Sequence, residues 1–226
     1  MSSIEDSKGH RSRLRQKFIK SGSEALHDYE LLELLLTFSI PRQDVKPLAK
    51  ALLMHFKGLP GVFDASAEEL CSVPGIAENT AVLIRLMKEL CCEYLKENLQ
   101  GKDILSSPEA VRNFARMKMA GMKDEAFLLI YLDTKNHVID HELAGQGTLD
   151  QAVVYPRTMI RQALARNAAG LIIVHNHPSG SCEPSPDDKH LTSTLRDALK
   201  PAHIRLLDHL VIGKNCCFSF VEEGLL

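Results

Sequence analysis

Four apolar residues, Leu171–Val174, run directly into His175-Asn176-His177-Pro178-Ser179-Gly180, and Ser185-Pro186-Asp187-Asp188 follows within the same turn-rich stretch. This segment constrains the chain more than any other. The apolar run, bounded by turn residues, reads as a short buried strand. Strand side chains repeat every two residues, so His175 and His177 project to the same side. Pro178, Gly180 and Pro184 turn the chain. Ser185 followed by Pro186 then reads as a helix start, a polar cap before proline in the first turn. A carboxylate in that first turn, Asp187 or Asp188, can return to the two imidazoles. Two histidines and a carboxylate with one position left open form the donor set of a catalytic zinc site. Zinc so held lowers the pKa of water toward about 7.

Each of these residues has an ordinary alternative. The histidines can sit solvated in a turn, the aspartates can serve the helix macrodipole, and Ser185 can be a plain cap. Their joint placement at the end of a buried strand favours the metal reading. His209, in an apolar segment after Asp208, reads as a satisfied structural histidine. His190 reads as a surface residue, and His141 as facing away from its neighbour Glu142 on a strand.

The rest of the chain supplies the frame. Its 226 residues allow one large domain or two small ones. The first hundred read as helical: Tyr29–Leu36 after an Asp28 cap and before Pro41, Asp44–Phe56 ending near Gly58, and Ser66–Cys71 with Glu69 completing a capping box. A long helix from Glu78 to Leu95 follows. The texture changes after Leu99-Gln100-Gly101-Lys102, which places a boundary near 100–105 and predicts domains 1–102 and 103–226. Beyond it, Ser107-Pro108-Glu109 opens a helix. Strands are expected at Ala126–Asp133, Asn136–Leu143, Thr148–Tyr155, Gly170–Val174, His203–Gly213 and Cys216–Phe220. Helices are expected at Pro156–Asn167 and Ser185–Leu199. Strands interspersed with helices predict a mixed α/β domain.

Charge and cysteines narrow the function classes. Residues 1–100 carry 13 Lys and Arg against 14 Asp and Glu, and residues 101–226 carry 14 against 15, so neither half presents a global field for a polyanion. No apolar run approaches the roughly 18 residues of a membrane span, and no signal-peptide region opens the chain, so a cytoplasmic protein is the expectation. The six cysteines, Cys71, Cys91, Cys92, Cys182, Cys216 and Cys217, contain no Cys-x-x-Cys pair. They read as buried reduced thiols, which suits a reducing compartment. Cys182, inside the histidine loop, is also a thiol that can enter the metal shell.

His-x-His, seven residues, Ser, two residues, Asp resembles the JAMM motif of the MPN/JAB metalloprotease superfamily, fitted here by His175, His177, Ser185 and Asp188. The flanking segments are closer to one branch. Leu171–Gly180, Gly147-Thr148-Leu149-Asp150, Val154-Tyr155-Pro156-Arg157 and Leu206–Gly213 resemble the RadC family. So do His10–Arg15 and Asp28–Leu35, so the resemblance covers nearly the whole chain. It implies an MPN/JAB domain of cytidine-deaminase-like fold with Zn²⁺ held by His175, His177 and Asp188. It also implies Glu142 as general base on an upstream strand, and Ser185 as a stabiliser of the oxyanion. The spacing to His177 favours Asp188 over Asp187. The implied activity is metal-dependent hydrolysis of a peptide or isopeptide bond. The implied partner is a peptide or protein substrate, and the alternative is an accessory role in DNA repair. A deaminase is disfavoured because His-x-Glu and Pro-Cys-x-x-Cys are absent.

Cys71–Ala81, with Val73-Pro74-Gly75-Ile76 at its centre, resembles a helix-hairpin-helix module, which grips DNA backbones at a helix N-terminus. Ala77 and Glu78 stand where a glycine and a neutral or basic residue would serve that grip better. Arg11, Arg13, Arg15, Lys17 and Lys20 form a basic stretch, read as a phosphate-binding helix, a solvated face or a docking surface.

Overall fold

The computed structural model describes residues 3–99, 104, 107–144, 155–214 and 216–226. They form two compact units, Met1–Leu90 and Cys91–Leu226.

The first unit is helical. Helices α1 (Ser3–Ser21), α2 (Asp28–Ser39), α3 (Lys46–Phe56), α4 (Leu59–Asp64) and α5 (Ala67–Cys71) lead into α6 (Glu78–Leu99). Leu36, Ala49, Leu52, Leu70 and Ile84 are fully buried in one aliphatic core. The cap of α2 is His27 rather than Asp28, because the Glu30 carboxylate reaches back to the His27 N–H at 3.0 Å. Helix α5 has the expected Ser66–Glu69 capping box. Helix α4 has no counterpart in the sequence reading, which ends one helix near Gly58 and opens the next at Ser66. In the structure Pro60 opens the helix, where its missing N–H costs nothing.

At the α5–α6 hairpin, Gly75 adopts φ 97°, a left-handed conformation open to glycine. Val73 and Ile76 beside it are buried in the core. Two residues of the basic stretch of α1 are used within the unit. Arg11 donates to the carbonyls of Ile40 and Gln43, and Lys17 pairs with Glu30 at 3.0 Å.

The second unit is the mixed α/β one. Helix α7 (Pro108–Met119) precedes β1 (Phe127–Leu132) and β2 (Val138–Ala144). Helix α8 (Pro156–Ala165) precedes β3 (Gly170–Asn176), then α9 (Pro186–Leu199), β4 (Arg205–Ile212) and β5 (Cys217–Ser219). The sheet order is β2-β1-β3-β4-β5. All pairs are antiparallel except β3–β4, which is parallel and joined through α9. One face buries Leu128, Ile130, Ile172 and Val174 with Phe114 and Met119 of α7. The other buries Phe127, Leu129, Leu171 and Ile173 with Met159 of α8 and Leu195 of α9. Strand β3 is buried throughout, as its unbroken apolar run requires.

The division between units falls within α6, ahead of the compositional change at 99–102. The last turns of α6 carry Leu95 and Leu99, which pack into the C-terminal core. The strand expected at Thr148–Tyr155 lies outside the described residues except Tyr155, which caps α8. Among the described residues, no helix is long and apolar enough to cross a membrane.

Candidate metal centre

His175 ends β3 on the face covered by α8 and α9, and Asp188 stands in the first turn of α9. This is the carboxyl end of the parallel pair, where a crossover helix brings its N-terminus over the strand ends. His175 is fully buried and Asp188 is 6% exposed, whereas Asp187 is exposed. His175 Nε2 lies 2.9 Å from His177 Nε2 and 3.2 Å from Asp188 Oδ1, and His177 Nε2 lies 3.3 Å from Asp188 Oδ2. Ligands on one tetrahedral zinc, bonded at about 2.0–2.1 Å, stand about 3.3 Å apart. The three donors converge at that spacing, so the residues present fit the ion their chemistry implies.

Hydrogen bonds orient each donor. His177 Nδ1 lies 3.2 Å from the Ser181 carbonyl, which only accepts, so Nδ1 holds the proton and Nε2 is free to bind. Ser185 caps α9 in a capping box closed by Asp188. The Ser185 N–H and hydroxyl each donate to Asp188 Oδ2 at 2.7 Å, and Ser185 Oγ accepts from the Asp188 N–H at 3.1 Å. Burial raises the Asp188 pKa, but the neighbouring His175 ring and the hydrogen bonds donated by Ser185 outweigh it and hold the carboxyl well below the usual range. The Ser185 hydroxyl proton is thus directed at Asp188. Ser185 sits at the group as the residue that places the carboxylate.

Glu142 is not brought to this group. It pairs in register with Leu129, and Leu129 with Ile173, whereas His175 aligns through Phe127 with Ala144. The Glu142 backbone therefore stands two strands away and two residues back, about 10 Å across the sheet and about 7 Å along it, on the same face as His175. Its carboxylate accepts from Arg166 at 2.8 Å, Gln162 at 2.9 Å and Tyr131 at 3.3 Å. Gln162 of α8 and Arg166 at its C-cap are two of these partners and hold the side chain over the middle of β1. The alternation expected of His141 is present: its ring packs edge-on against Phe114 on the opposite face.

Sequence reasoning undervalued His209 and passed over Thr192. His209 is fully buried on β4, with Nε2 2.8 Å from His175 Nδ1 and Nδ1 2.6 Å from Thr192 Oγ1. Burial, followed by the neighbouring histidines, lowers its pKa to about 3, so it is neutral near pH 7. The spacing of Asp188 and Thr192, one helical turn apart, was the available signal.

The expectation of six buried thiols is corrected. Cys182 and Cys216 form a disulfide, Cys71 and Cys91 are exposed, Cys217 is half-buried, and Cys92 is buried. The bond follows from the way the histidine loop lies on the β4–β5 turn. The His177 N–H donates to the Ile212 carbonyl and the Lys214 N–H to the Gly180 carbonyl, both at 2.9 Å. Gly213 permits that approach, since a Cβ there would stand 2.5 Å from the Gly180 oxygen. The Cys182 sulfur is spent on Cys216 and does not join the donors.

The RadC-like JAB domain family matches residues 105–225, a span that contains all three donors, and the UPF0758 N-terminal family matches residues 7–82. The chain belongs to the RadC family. A UPF0758 protein of Fusobacterium nucleatum is 39% identical over 231 residues, covering 99% of this chain and 100% of the relative. UPF0758 proteins of Pseudoalteromonas translucida and Ruegeria pomeroyi are 41% and 42% identical. They cover 95% and 96% of this chain, and 96% and 97% of their own lengths. The RadC resemblance read from the sequence therefore extends through both units, and the metal-type donor group lies in the JAB portion.

Proposed function

We propose that the C-terminal unit is a zinc-dependent hydrolase of peptide or isopeptide bonds. The observation that carries this reading is the convergence of His175 Nε2, His177 Nε2 and the Asp188 carboxylate at ligand spacing. Two neutral imidazoles and one carboxylate suit a divalent ion, leave it a net positive charge, and leave a fourth position open for a substrate or water. Such an ion supplies Lewis acidity, polarising a carbonyl and lowering the pKa of water toward about 7.

The chain's own groups provide the rest. The Ser181 carbonyl fixes the His177 ring, and Ser185 fixes the Asp188 carboxylate. In the net reaction a water oxygen bonds to the carbonyl carbon, the C–N bond breaks, and the leaving nitrogen takes a proton. Glu142, held by Arg166 and Gln162, is not assigned as the base in this reading, and Ser185 is assigned to positioning.

The test is elemental analysis of protein purified without chelator, beside His177→Ala, followed by assay on peptides and branched isopeptides. About one zinc per chain in the wild type and almost none in the variant is expected. No zinc in either, even after zinc is added back, overturns the metal assignment. A zinc-loaded chain that cleaves neither substrate type overturns the proposed substrate class.

A further inference from the structure

We propose that Thr192 and His209 are positioning residues that lock His175 in the tautomer whose Nε2 lone pair faces the metal position. The inference rests on the metal reading above, and the direction of each hydrogen bond follows from one fixed point. The Asp188 carbonyl can only accept, and it lies 2.6 Å from Thr192 Oγ1. The single hydroxyl proton of Thr192 is therefore used there. His209 Nδ1, also 2.6 Å from that oxygen, must then donate to it. A neutral imidazole carries one proton, so His209 Nε2 is an acceptor. His175 Nδ1, 2.8 Å away, fills it with its own N–H. That leaves His175 Nε2 unprotonated, 2.9 Å from His177 Nε2 and 3.2 Å from Asp188 Oδ1.

The relay begins at the main chain of one metal ligand and ends at the ring of another. It couples α9, β4 and β3 in one closed circuit. Packing keeps it in place. Thr192 is 2% exposed, and the His209 ring stacks on Phe220 with centroids 4.8 Å apart. Nothing in the circuit requires solvent. A ligand imidazole oriented through its distal N–H gains basicity and a fixed ring plane.

Thr192→Val keeps the side-chain shape and removes the hydroxyl, so the direction of the relay is no longer set. Thr192→Ser restores the hydroxyl. The experiment uses the full chain and zinc alone, with affinity read by competition against a chromophoric chelator. Long-range ¹H–¹⁵N NMR of the imidazoles reads the tautomers in the metal-free protein. The expected result is Nδ1–H at both His175 and His209, zinc affinity lowered by about 10- to 100-fold in Thr192→Val, and rescue by Thr192→Ser.

An Nε2–H tautomer at His209, or zinc affinity in Thr192→Val within about threefold of wild type, overturns the relay. Thermal unfolding of both variants confirms that each is folded. If Thr192→Val does not fold, the wild-type tautomers decide alone. If the wild type binds no zinc, the metal reading fails, while the tautomer spectrum still decides whether the relay exists.

Discussion

The Glu142 carboxylate and the Arg166 guanidinium meet at 2.8 Å on the α8 side of the sheet, with Gln162 donating to the other carboxylate oxygen at 2.9 Å. This pairing makes Glu142 a strut between β2 and α8. Glu142→Gln is expected to keep full zinc occupancy, to retain hydrolytic activity within about tenfold, and to lose about 1 kcal/mol of stability in urea unfolding. A loss of hydrolysis of a hundredfold or more, with zinc retained, would return Glu142 to the role of base.

Acid should destabilise the metal-free protein through His209. Its folded pKa of about 3 lies below the ordinary histidine value of about 6.5, so between those values the unfolded chain binds the additional proton. Stability contributed by neutral His209 is complete above about pH 6.5 and falls as pH drops toward 3. The slope is at most about 1.4 kcal/mol per pH unit. Denaturant unfolding in EDTA at several pH values, for wild type and His209→Gln, measures it. The difference between the two should shrink with acidification, and a constant difference would remove His209 as the cause.

Removing the Ser185 hydroxyl should act twice. Ser185→Ala deletes an N-cap, for about 0.5–2 kcal/mol of stability, and frees the Asp188 carboxylate from a 2.7 Å hydrogen bond. Zinc affinity is expected to fall by about tenfold or more. Ser185→Thr, which keeps the hydroxyl, should preserve both. Calorimetry and chelator competition check the pair, and an alanine variant that loses stability but not affinity would confine Ser185 to capping.

The Cys182–Cys216 bond closes a segment of 34 residues. In the chain-entropy account a ring of that size stabilises the folded state by about 3–4 kcal/mol. Unfolding with and without reductant should show a loss of about that size, alongside release of two titratable thiols. The double Cys182→Ala, Cys216→Ala variant should be insensitive to reductant. A wild type equally stable in both conditions would mean that the bond constrains nothing.

Much of the site was legible because it is local. His175, His177, Ser185 and Asp188 lie on one strand end, one loop and one helix start, and their spacing alone places them together. Asp188 and Asp187 were separable only in part, since burial decides between them and burial depends on how α9 sits on the sheet. Glu142 shows the limit from the other side. Its strand was predicted, but its distance from the donors is set by β1 lying between β2 and β3, and strand order is not written in local pattern.

The helical frame was legible for the same reason. Proline, glycine and capping signals mark most of its boundaries to within a few residues. The misreadings were long-range or ambiguous. Six cysteines admit fifteen full pairings, so nothing local assigns Cys182 to Cys216. His209 was read as satisfied, which it is, but its partner is His175, one of the three converging donors, and it lies across a parallel strand pair.

That parallel pair has a temporal consequence. The donors lie between His175 and Asp188, whereas His209 arrives only after the whole of α9 and the turn behind it. A chain made from its N-terminus therefore completes the donor set before the supporting imidazole has been synthesised. Pairing of β3 with β4 closes a long loop, a slow kind of contact to form. The three donors thus lie close together in the chain, whereas the group that selects the ring tautomer of one of them belongs to the finished sheet.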